Sequence, residues 1–430
     1  MANHYYEFKP LNIGRWIIWG LFALVLLLAP MVFKSGFSIS LLTFIGALIV
    51  NCLAFNILLG QGGMLSFGHA VYSGLGAFVA VHALNYVSNG SLPIPVSLIP
   101  VVGGLGGMFF AFIFGWFTTR KSGTTFAMIT LGLGELVFAM SLMVPEFFGG
   151  EGGVSANRVT GKPFMGITFG PPIQVYYLTA VYVFICVVAM FAFTRTPLGR
   201  ILNAVRDNPE RVEFIGYNTQ KVRYIAFIIV GFFSGISGGL GVLNLELVTA
   251  ENVGAARSAS TLLFTFLGGV TFFFGPIIGA VLLALGFVVF SEFTNAWLLY
   301  LGLIFLFMVM YAPGGIASLL MMNLRVASFG KLRQLWVSYL ALAATALVAL
   351  IGASAMIEMI YQLQLSTTGG TELTFMGAQL DAKGVNSWFG SALVLVTGAG
   401  LFEMCRRHFS LEWGKVQEEI EKEIKRRETL

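Results

Sequence analysis

Charged residues are scarce in this chain of 430 residues: Asp, Glu, Lys and Arg make up 10% of it, whereas hydrophobic residues make up 57%. Soluble domains carry about 25% charged residues, so this composition is not that of a soluble domain. Only four histidines and three cysteines occur, scattered over different regions, which argues against a metal site and a disulfide framework. The chain also lacks a Gly-x-x-x-x-Gly-Lys-Ser/Thr phosphate loop and a nucleophile motif. We therefore expect no enzyme activity, metal or bound cofactor in this chain.

Long apolar runs stand in place of the missing charges. A membrane-spanning helix needs about 20 mainly apolar residues. Apolar runs recur along almost the whole chain, at 15–33, 38–59, 64–86, 96–118, 124–145, 174–194, 223–246, 258–273, 276–291, 296–312, 335–361 and 387–404. They predict an all-α, polytopic bundle of transmembrane helices, with about ten spans in a main unit and about two more in a C-terminal extension.

The positive charges predict how these spans are oriented. If the chain starts in the cytoplasm and the spans alternate, 20 of the 25 Lys and Arg residues lie inside, as membrane proteins require. The net charge of +5 therefore reflects topology, and we expect no nucleic-acid partner. The short runs 258–273 and 276–291 count as two spans here. One broken helix or a re-entrant pair is the alternative, although a single span would place the basic loop 313–334 outside.

Composition divides the chain into four segments. We expect a cytoplasmic tail at 1–14, a membrane-embedded unit at 15–322, a linker with two more spans at 323–404, and a charged helix at 405–430. Apolar residues recur at helical spacing in the last segment, which predicts an amphipathic cytoplasmic helix. This helix either lies on the membrane or on a partner, or is only a solubilising tail.

A polar, basic segment at 195–222 separates two apolar runs and is long enough for two short helices. Pro209 ends the first helix, because proline disfavours the helical region for the residue before it. A second helix is expected to start near Glu210 and to end at Gly216, since glycine tolerates a positive φ. Arg200 lies off the apolar face of the first helix, as does Arg206. That apolar face consists of Leu198, Ile201, Leu202 and Val205. A cytoplasmic segment of this kind is suited to docking onto another protein.

A glycine-rich stretch at 60–70, with the sequence GQGGMLSFGHA, begins a predicted span and follows Asn56. Backbone that is not helical within a membrane must line a cavity or be buried in protein. In the first case Gln61, Ser66 and His69 join Asn56 in a translocation path. In the second case helices pack tightly there, and Ser66 and His69 form hydrogen bonds between helices. The residues alone leave both interpretations open.

Glu135 is the acidic residue nearest to the centre of a predicted span. Ionisable groups within a membrane are commonly functional, because burying them in lipid is unfavourable. We therefore include Glu135 among the candidate path residues. Pairing with a polar group on a neighbouring helix is the alternative.

Gly231, Gly235 and Gly239 are four residues apart and share one face of a predicted span. Small residues in this pattern let two helix backbones approach closely. They predict a packing seam, and the pattern returns more weakly at 103–107 and 275–279. The seam belongs either within the chain or to an interface between subunits.

A series of motifs resembles, in order, the LivM type of permease, a family of membrane subunits of ABC importers for branched-chain amino acids and related compounds. The resemblance covers about residues 38–320. The stretch 197–216 resembles the cytoplasmic coupling loop of the family, although Arg211 and Val212 replace two alanines of the general importer pattern. The other motifs lie at 56–70, 74–77, 149–153, 267–280 and 311–316. Residues 335–430 match no part of the family pattern.

The resemblance implies the partners and the mechanism. A permease of this kind works in the bacterial inner membrane with two ABC ATPase subunits, which use ATP and Mg, and with a second homologous permease. A periplasmic binding protein delivers the solute to the external loops, and the ATPases grip the coupling loop at 195–222. The apolar face of the loop would then sit in a groove of the ATPase, with the arginines at its rim. The implied coupling residues are Leu198, Gly199, Arg200, Arg206, Glu210 and Gly216.

The solute class is open within this resemblance. A branched-chain or other hydrophobic amino acid is the leading expectation, and urea, short amides and aromatic acids are alternatives. A secondary transporter driven by an ion gradient is the alternative function, because intramembrane acidic residues often carry coupling ions in such carriers.

Overall fold

The computed structural model describes residues 13–159, 168–312, 314–365, 372–375 and 378–429. Most of the predicted tail at 1–14, residues 160–167 and Pro313 therefore lie outside the described residues. The chain divides into two compact units, Met1–Leu283 and Ala284–Leu430. The division between the compact units falls within the helix Gly275–Phe293, and the segments at 15–322 and 323–404 stay a prediction.

The fold is almost entirely helical, as the sequence predicts. The described helices are α1 (Ile13–Val32), α2 (Gly36–Asn56), α3 (Ala70–Ser88), α4 (Ile99–Thr118), α5 (Gly123–Met143), α6 (Pro145–Phe148), α7 (Pro172–Arg195), α8 (Pro197–Asp207), α9 (Pro209–Phe214), α10 (Thr219–Leu245), α11 (Ala255–Gly268), α12 (Gly275–Phe293), α13 (Trp297–Tyr311), α14 (Gly315–Ser328), α15 (Leu332–Leu365) and α16 (Val385–Thr429). Two antiparallel strand pairs complete the fold: β1 (Val154–Ser155) with β2 (Leu247–Val248), and β3 (Glu372–Phe375) with β4 (Ala378–Asp381). A π-helical turn, Ile57–Gln61, follows α2.

Within the described ranges, nine helices are long and apolar enough to cross a membrane, or ten if α13 and α14, bent by 51°, form one span. The prediction of a polytopic helix bundle is therefore confirmed. The runs at 15–33, 258–273 and 296–312 give the shorter apolar helices α1, α11 and α13. Because α11 has only 14 residues, hydrophobicity alone overstated the number of full-length spans.

The centre of the first unit is a bundle in which α10 packs on α2, α3 and α4, and α2 packs on α7. The glycine ridges of α10 and α4 face each other. A Cβ atom added at Gly107 would lie 2.8 Å from the Cα of Gly235, and one at Gly239 would lie 2.7 Å from the Cα of Pro100. At Gly231 an added Cβ would collide with Ala111. The predicted glycine seam thus lies within this chain, where it lets α10 and α4 touch through their backbones.

The turn between α11 and α12 brings the end of one helix tightly against the start of the other. A Cβ atom at Gly268 would meet the backbone nitrogen of Gly279 at 2.8 Å, and one at Gly275 would meet the carbonyl oxygen of Gly268 at 3.0 Å. Glycine is required on both sides of this turn because no side chain fits between the backbones. The runs 258–273 and 276–291 are therefore two helices and not one broken helix.

The second unit is built around the long antiparallel pair α15 and α16, of 34 and 45 residues. Added Cβ atoms at Gly352 and Gly398 would each lie 2.5 Å from a backbone nitrogen of the opposite helix. Further along, the charged part of α16 packs its apolar face onto α14 and α15. That cluster contains the buried residues Val326, Leu335, Val416 and Ile420. The amphipathic face at 405–430 is therefore covered by this chain itself, whereas the sequence suggested the membrane, a partner or solvent.

Candidate functional site

The polar segment at 195–222 folds into two short helices whose ends are defined by side-chain caps. Thr196 Oγ1 accepts a hydrogen bond from the backbone N–H of Gly199 at 3.2 Å and caps α8. Asn208 is extended and its Oδ1 accepts from the N–H of Arg211 at 3.0 Å, which ends α8 and caps α9. Gly216 then adopts a φ of +95°. The break at Pro209 and the stop at Gly216 match the sequence-based prediction.

The apolar face of α8 is turned into the bundle of its own chain. Leu202 and Val205 are completely buried, Gly199 is buried against the end of α7, and Leu198 is half-buried. The expectation that this face sits in a groove of a partner is therefore wrong. The bundle uses these residues to anchor the helix, because their burial stabilises the fold.

Two polar side chains of α8 hold the glycine-rich stretch that follows α2. Arg206 donates from Nη1 to the carbonyl oxygen of Gly60, and Asn203 Nδ2 donates to Gln61 Oε1 at 2.8 Å. Arg206 also pairs with Asp207, with 2.8 Å between Nη2 and Oδ1. The expectation that Arg206 points towards a partner is thus corrected, since its guanidinium turns back to the chain. Gln61, a candidate path residue, is engaged by α8.

The exposed part of the segment lies on and after α9. Phe214 is 89% exposed and Ile215 is 74% exposed, an unusual state for large apolar side chains on a polar segment. Arg200, Glu210 and Gly216 are also exposed. Sequence reasoning missed Phe214 and Ile215 because it searched for an apolar face on α8 only. The signal was available, since α9 buries only Val212.

A cleft of about 640 Å³ opens beside α9. It is polar, with Arg120 and Arg223 at its wall and Glu213 accepting a hydrogen bond from Thr219 Oγ1 at 2.7 Å. Its lining consists of Arg120, Glu213, Gly216, Tyr217, Asn218, Thr219, Gln220 and Arg223. The connection between α4 and α5 therefore joins the polar segment on one surface.

Three of the candidate path residues are buried inside the first unit. His69 is fully buried and its Nε2 lies 2.9 Å from Ser234 Oγ on α10. Asn56 Oδ1 and Ser66 Oγ are buried with no hydrogen-bond partner among the described residues. In the single chain, His69 thus takes part in helix packing, whereas Asn56 and Ser66 are buried polar groups with unmet hydrogen-bonding capacity.

The break before α3 meets a second break before α11. The backbone N–H of Ala70, at the start of α3, donates to Ser258 Oγ at 3.0 Å. A Cβ atom at Gly74 would lie 2.7 Å from the carbonyl oxygen of Asn252, in the turn that precedes α11. Two helices therefore begin next to each other inside the bundle, an arrangement that transporters use around a solute path.

Glu135 lies near the middle of the 21-residue helix α5 and is exposed. Its carboxylate makes no hydrogen bond or ion pair with the part of the chain that the structure describes. No atom lies within 4 Å of a Cβ added at Gly132, one turn away on the same helix. The opposite face of α5 packs on the break before α3, where the N–H of Phe67 donates to Thr130 Oγ1 at 3.2 Å. Glu135 is thus the candidate path residue whose carboxylate is exposed and has no partner among the described residues of the single chain.

At the other end of α10, Arg158 holds the loop between α6 and α7. Its guanidinium donates to the carbonyl oxygens of Phe169 at 2.9 Å and Leu243 at 2.8 Å, and its backbone N–H donates to Glu246 Oε1 at 2.8 Å. The pairing of β1 with β2 joins the same two segments. The sequence alone offered no role for Arg158. Within the described residues, no group of three His, Cys, Asp or Glu side chains forms a metal site.

Comparison with known proteins identifies the family. Residues 37–313 match the family described as branched-chain amino acid transport system / permease component. The chain belongs to this family. This match confirms the resemblance stated over about residues 38–320. As a member, the chain is a multi-pass membrane permease component of an ABC-type transport system, a transport subunit without a catalytic site or bound cofactor of its own.

Individual relatives agree with the family assignment. The high-affinity branched-chain amino acid transport system permease protein LivM of Salmonella typhimurium is 27% identical over 322 residues, which cover 69% of this chain and 73% of that protein. LivM of Escherichia coli K12 is 27% identical over 307 residues, covering 66% and 71%. The guanosine ABC transporter permease protein NupQ of Bacillus subtilis is 28% identical over 95 residues, covering 22% and 28%. No solved structure matches the chain.

Proposed function

We propose that this chain is the membrane-spanning permease subunit of an ATP-driven importer for branched-chain or other hydrophobic amino acids. The observation that carries the proposal is the segment at 195–222, which is anchored in the bundle through α8 and presents Phe214 and Ile215 outwards. A segment with one side fixed to the permease and the other side exposed is suited to receive movement from a separate ATPase. The relatives named for branched-chain amino acids cover more of the chain than the one named for guanosine, which supports the amino-acid class.

The proposed ATPase contact is the exposed patch after α9. Exposed apolar residues surrounded by polar ones mark protein interaction sites. Phe214 and Ile215 form the apolar centre, and Arg200, Glu210 and Arg211 supply a polar rim. We propose two ATPase subunits. One contacts this patch, and the other contacts the equivalent patch of a second homologous permease. A periplasmic binding protein is the proposed partner of the external loop that Arg158 holds.

The orientation follows from the same assignment. With the segment at 195–222 in the cytoplasm, α10 leads away from it to the opposite side. Both termini then lie in the cytoplasm if each of the twelve apolar runs crosses the membrane, the short helices α1, α11 and α13 included. The excess of Lys and Arg on that side supports this topology. The proposed location is the bacterial inner membrane.

Glu135 is the proposed path residue that contacts the solute or lies next to it. Placing a carboxylate near the middle of a spanning helix against lipid costs about 2.5 kcal/mol or more on insertion scales. An exposed Glu135 therefore requires a polar environment, such as a water-filled path between two permeases. Asn56, Ser66 and His69 are buried within the first unit and are proposed to shape the inner wall of that path.

The substrate class is tested by uptake into liposomes that contain the permease with its ATPase, its second permease and its binding protein. We expect ATP-dependent uptake of radiolabelled leucine, with no competition from a tenfold excess of guanosine. Uptake of guanosine without uptake of leucine would contradict the amino-acid assignment.

The role of Glu135 is tested with Glu135→Gln, and Glu146→Gln, exposed on α6, is the control. Loss of the charge should reduce leucine uptake at least tenfold, which corresponds to about 1.4 kcal/mol, while the control retains normal uptake. Both variants should accumulate in the membrane like the wild type. Normal transport by Glu135→Gln would remove this residue from the path.

A further inference from the structure

The connection between α2 and α3 has an irregular backbone. The π-helical turn Ile57–Gln61 follows α2, and Gly63 then adopts a φ of +63° before α3 begins at Ala70. Turns of the π type are rare overall, and those that occur often lie at functional sites. We call residues 57–63 the joint, because they connect two spanning helices without continuing either of them.

The joint is held directly by α8. Arg206 donates to the carbonyl oxygen of Gly60, and Asn203 donates to the side chain of Gln61 at 2.8 Å. A Cβ atom added at Gly63 would lie 2.8 Å from Cγ of Arg206, so the stem of this arginine also rests on the joint. These contacts join segments more than 140 residues apart in sequence, since Arg206 and Gly60 are separated by 146 positions.

The other side of the joint is also in contact with backbone. An added Cβ at Gly60 would lie 2.5 Å from the carbonyl oxygen of Val270, which belongs to the turn between α11 and α12. The joint therefore lies between α8 and that turn and touches both. A displacement of α8 must either move the joint or break the contacts of Arg206 and Asn203.

Two buried polar atoms flank the joint. Asn56 Oδ1 and Ser66 Oγ have no hydrogen-bond partner among the described residues. Buried polar groups normally have partners, so a joint that shifts finds hydrogen-bonding atoms on both of its sides.

We propose that Arg206 is a positioning residue that transmits movement of the segment at 195–222 to the joint, and through it to α2 and α3. Asn203 provides a second, weaker contact to the same element. This inference rests on the proposed function, because it takes the segment to be the part that the ATPase moves. It differs from a docking role, since the guanidinium of Arg206 contacts the chain's own backbone.

The first test compares Arg206→Gln with Arg333→Gln in the complete transporter. Arg333 is an exposed arginine on α15, outside the proposed ATPase contact, and is the matched control for charge. Arg206→Gln should retain co-purification of the ATPase within twofold and should reduce the solute transported per ATP hydrolysed at least tenfold. Arg333→Gln should leave that ratio unchanged. A ratio within twofold of wild type in Arg206→Gln would overturn the proposal.

A milder variant and a second measurement keep the test decisive if Arg206→Gln fails to fold. Asn203→Ala removes only the side-chain contact to Gln61 and should reduce the same ratio about threefold. In Arg206→Lys the charge and one donor are retained, so part of the coupling should return. An unchanged ratio in Asn203→Ala together with a complete loss in Arg206→Lys would indicate a purely structural arginine and would contradict the proposal.

Hydrogen exchange separates this inference from the proposed substrate. In the wild-type complex, trapping the ATPases with a non-hydrolysable ATP analogue should change backbone exchange both in α9 and in residues 57–66. In Asn203→Ala the change in α9 should persist and the change in 57–66 should fall by at least half. If neither leucine nor guanosine is transported but this pattern appears, the substrate assignment is wrong and the proposed transmission through the joint is supported. Identical exchange at 57–66 with and without the analogue would contradict the proposal that movement reaches the joint.

Discussion

The two compact units use apolar helices of nearly equal hydropathy in opposite ways. In the span formed by α2 and its π turn, 83% of the most apolar 18-residue stretch is buried within the protein, whereas the corresponding share in α15 is 11%. α2 is surrounded by α7, α10 and α11, but α15 packs mainly on α16. Hydrophobicity thus identifies both as membrane helices and does not tell which one faces protein. The glycine contacts and polar anchors carry that information.

The glycine seam of the first unit is where a substitution should have the largest effect. Gly235→Leu places a side chain against the backbone of α4, where a Cβ atom would already lie 3.0 Å from the Cα of Gly104. Overpacking of this kind costs about 1–3 kcal/mol and sometimes more. We expect less than about a tenth of the wild-type amount of folded protein, measured by size-exclusion chromatography of a fluorescent fusion. Gly241→Leu, on the same helix with no atom within 4 Å of its added Cβ, should be close to wild type. Equal loss in both variants would show that the seam is not special.

Gly216→Arg should separate docking from folding. The added side chain has open space, but a φ of +95° is unfavourable for arginine, so the end of α9 must change shape. We expect co-purification of the ATPase to fall at least tenfold, or by about 1.4 kcal/mol, with near-normal abundance in the membrane. Gly330→Arg is the control in the second unit, since Gly330 also has a positive φ and open space. Retained ATPase binding in Gly216→Arg would mean that this loop is not the coupling element.

Val416→Asp tests the packing of α16 in the second unit. Val416 is 4% exposed and lies in the cluster with Leu335 and Ile420. Burying an apolar side chain of this size contributes about 1.5–3 kcal/mol, and the new carboxylate adds a desolvation cost. The midpoint temperature of thermal unfolding, followed by the fluorescence of tryptophans that include Trp413, should decrease. Leucine uptake should be retained. Gly414→Asp, at an exposed position on the same helix, should not shift it. A shift of equal size in the control would argue against the packed face.

The ion pair between Lys331 and Glu419 should have the smallest effect. Its Nζ and Oε2 atoms are 2.6 Å apart, but the two side chains are 35% and 50% exposed. Exposed ion pairs contribute about 0–1 kcal/mol. Lys331→Met should therefore lower the unfolding temperature of the second unit less than Val416→Asp does, and high salt should remove the difference from wild type. A larger effect than that of Val416→Asp would show that polar contacts dominate the second unit.

The sequence predicted what depends on neighbours along the chain. The break between α8 and α9 follows from Asn208 and Pro209, and the end after α9 follows from Gly216, so these boundaries could be derived locally. The glycine spacing of α10 predicted a close seam as well. The sequence left open whether that seam lies within the chain, because the facing ridge on α4 belongs to a separate part of the chain.

What could not be predicted depends on contacts between distant segments. The side chain of Arg206 suggested a partner because its acceptor, the carbonyl oxygen of Gly60, lies 146 positions away. The contact of Asn203 with Gln61 was missed for the same reason, since it spans 142 positions. His69 was equally ambiguous, since Ser234 is 165 positions away. The inward turn of the apolar face of α8 follows from the same tertiary contacts, and it leaves Phe214 and Ile215 as the exposed apolar residues next to α9.

The central claim is that a separate ATPase drives this permease through the segment at 195–222. The most direct measurement is leucine uptake into liposomes that contain the complete transporter, with ATP supplied inside or outside and an ionophore present or absent. The account predicts uptake that requires ATP on the side of the segment, persists with the ionophore and disappears when the ATPase is omitted. Uptake by the permease without the ATPase, driven by an ion gradient and abolished by the ionophore, would contradict it.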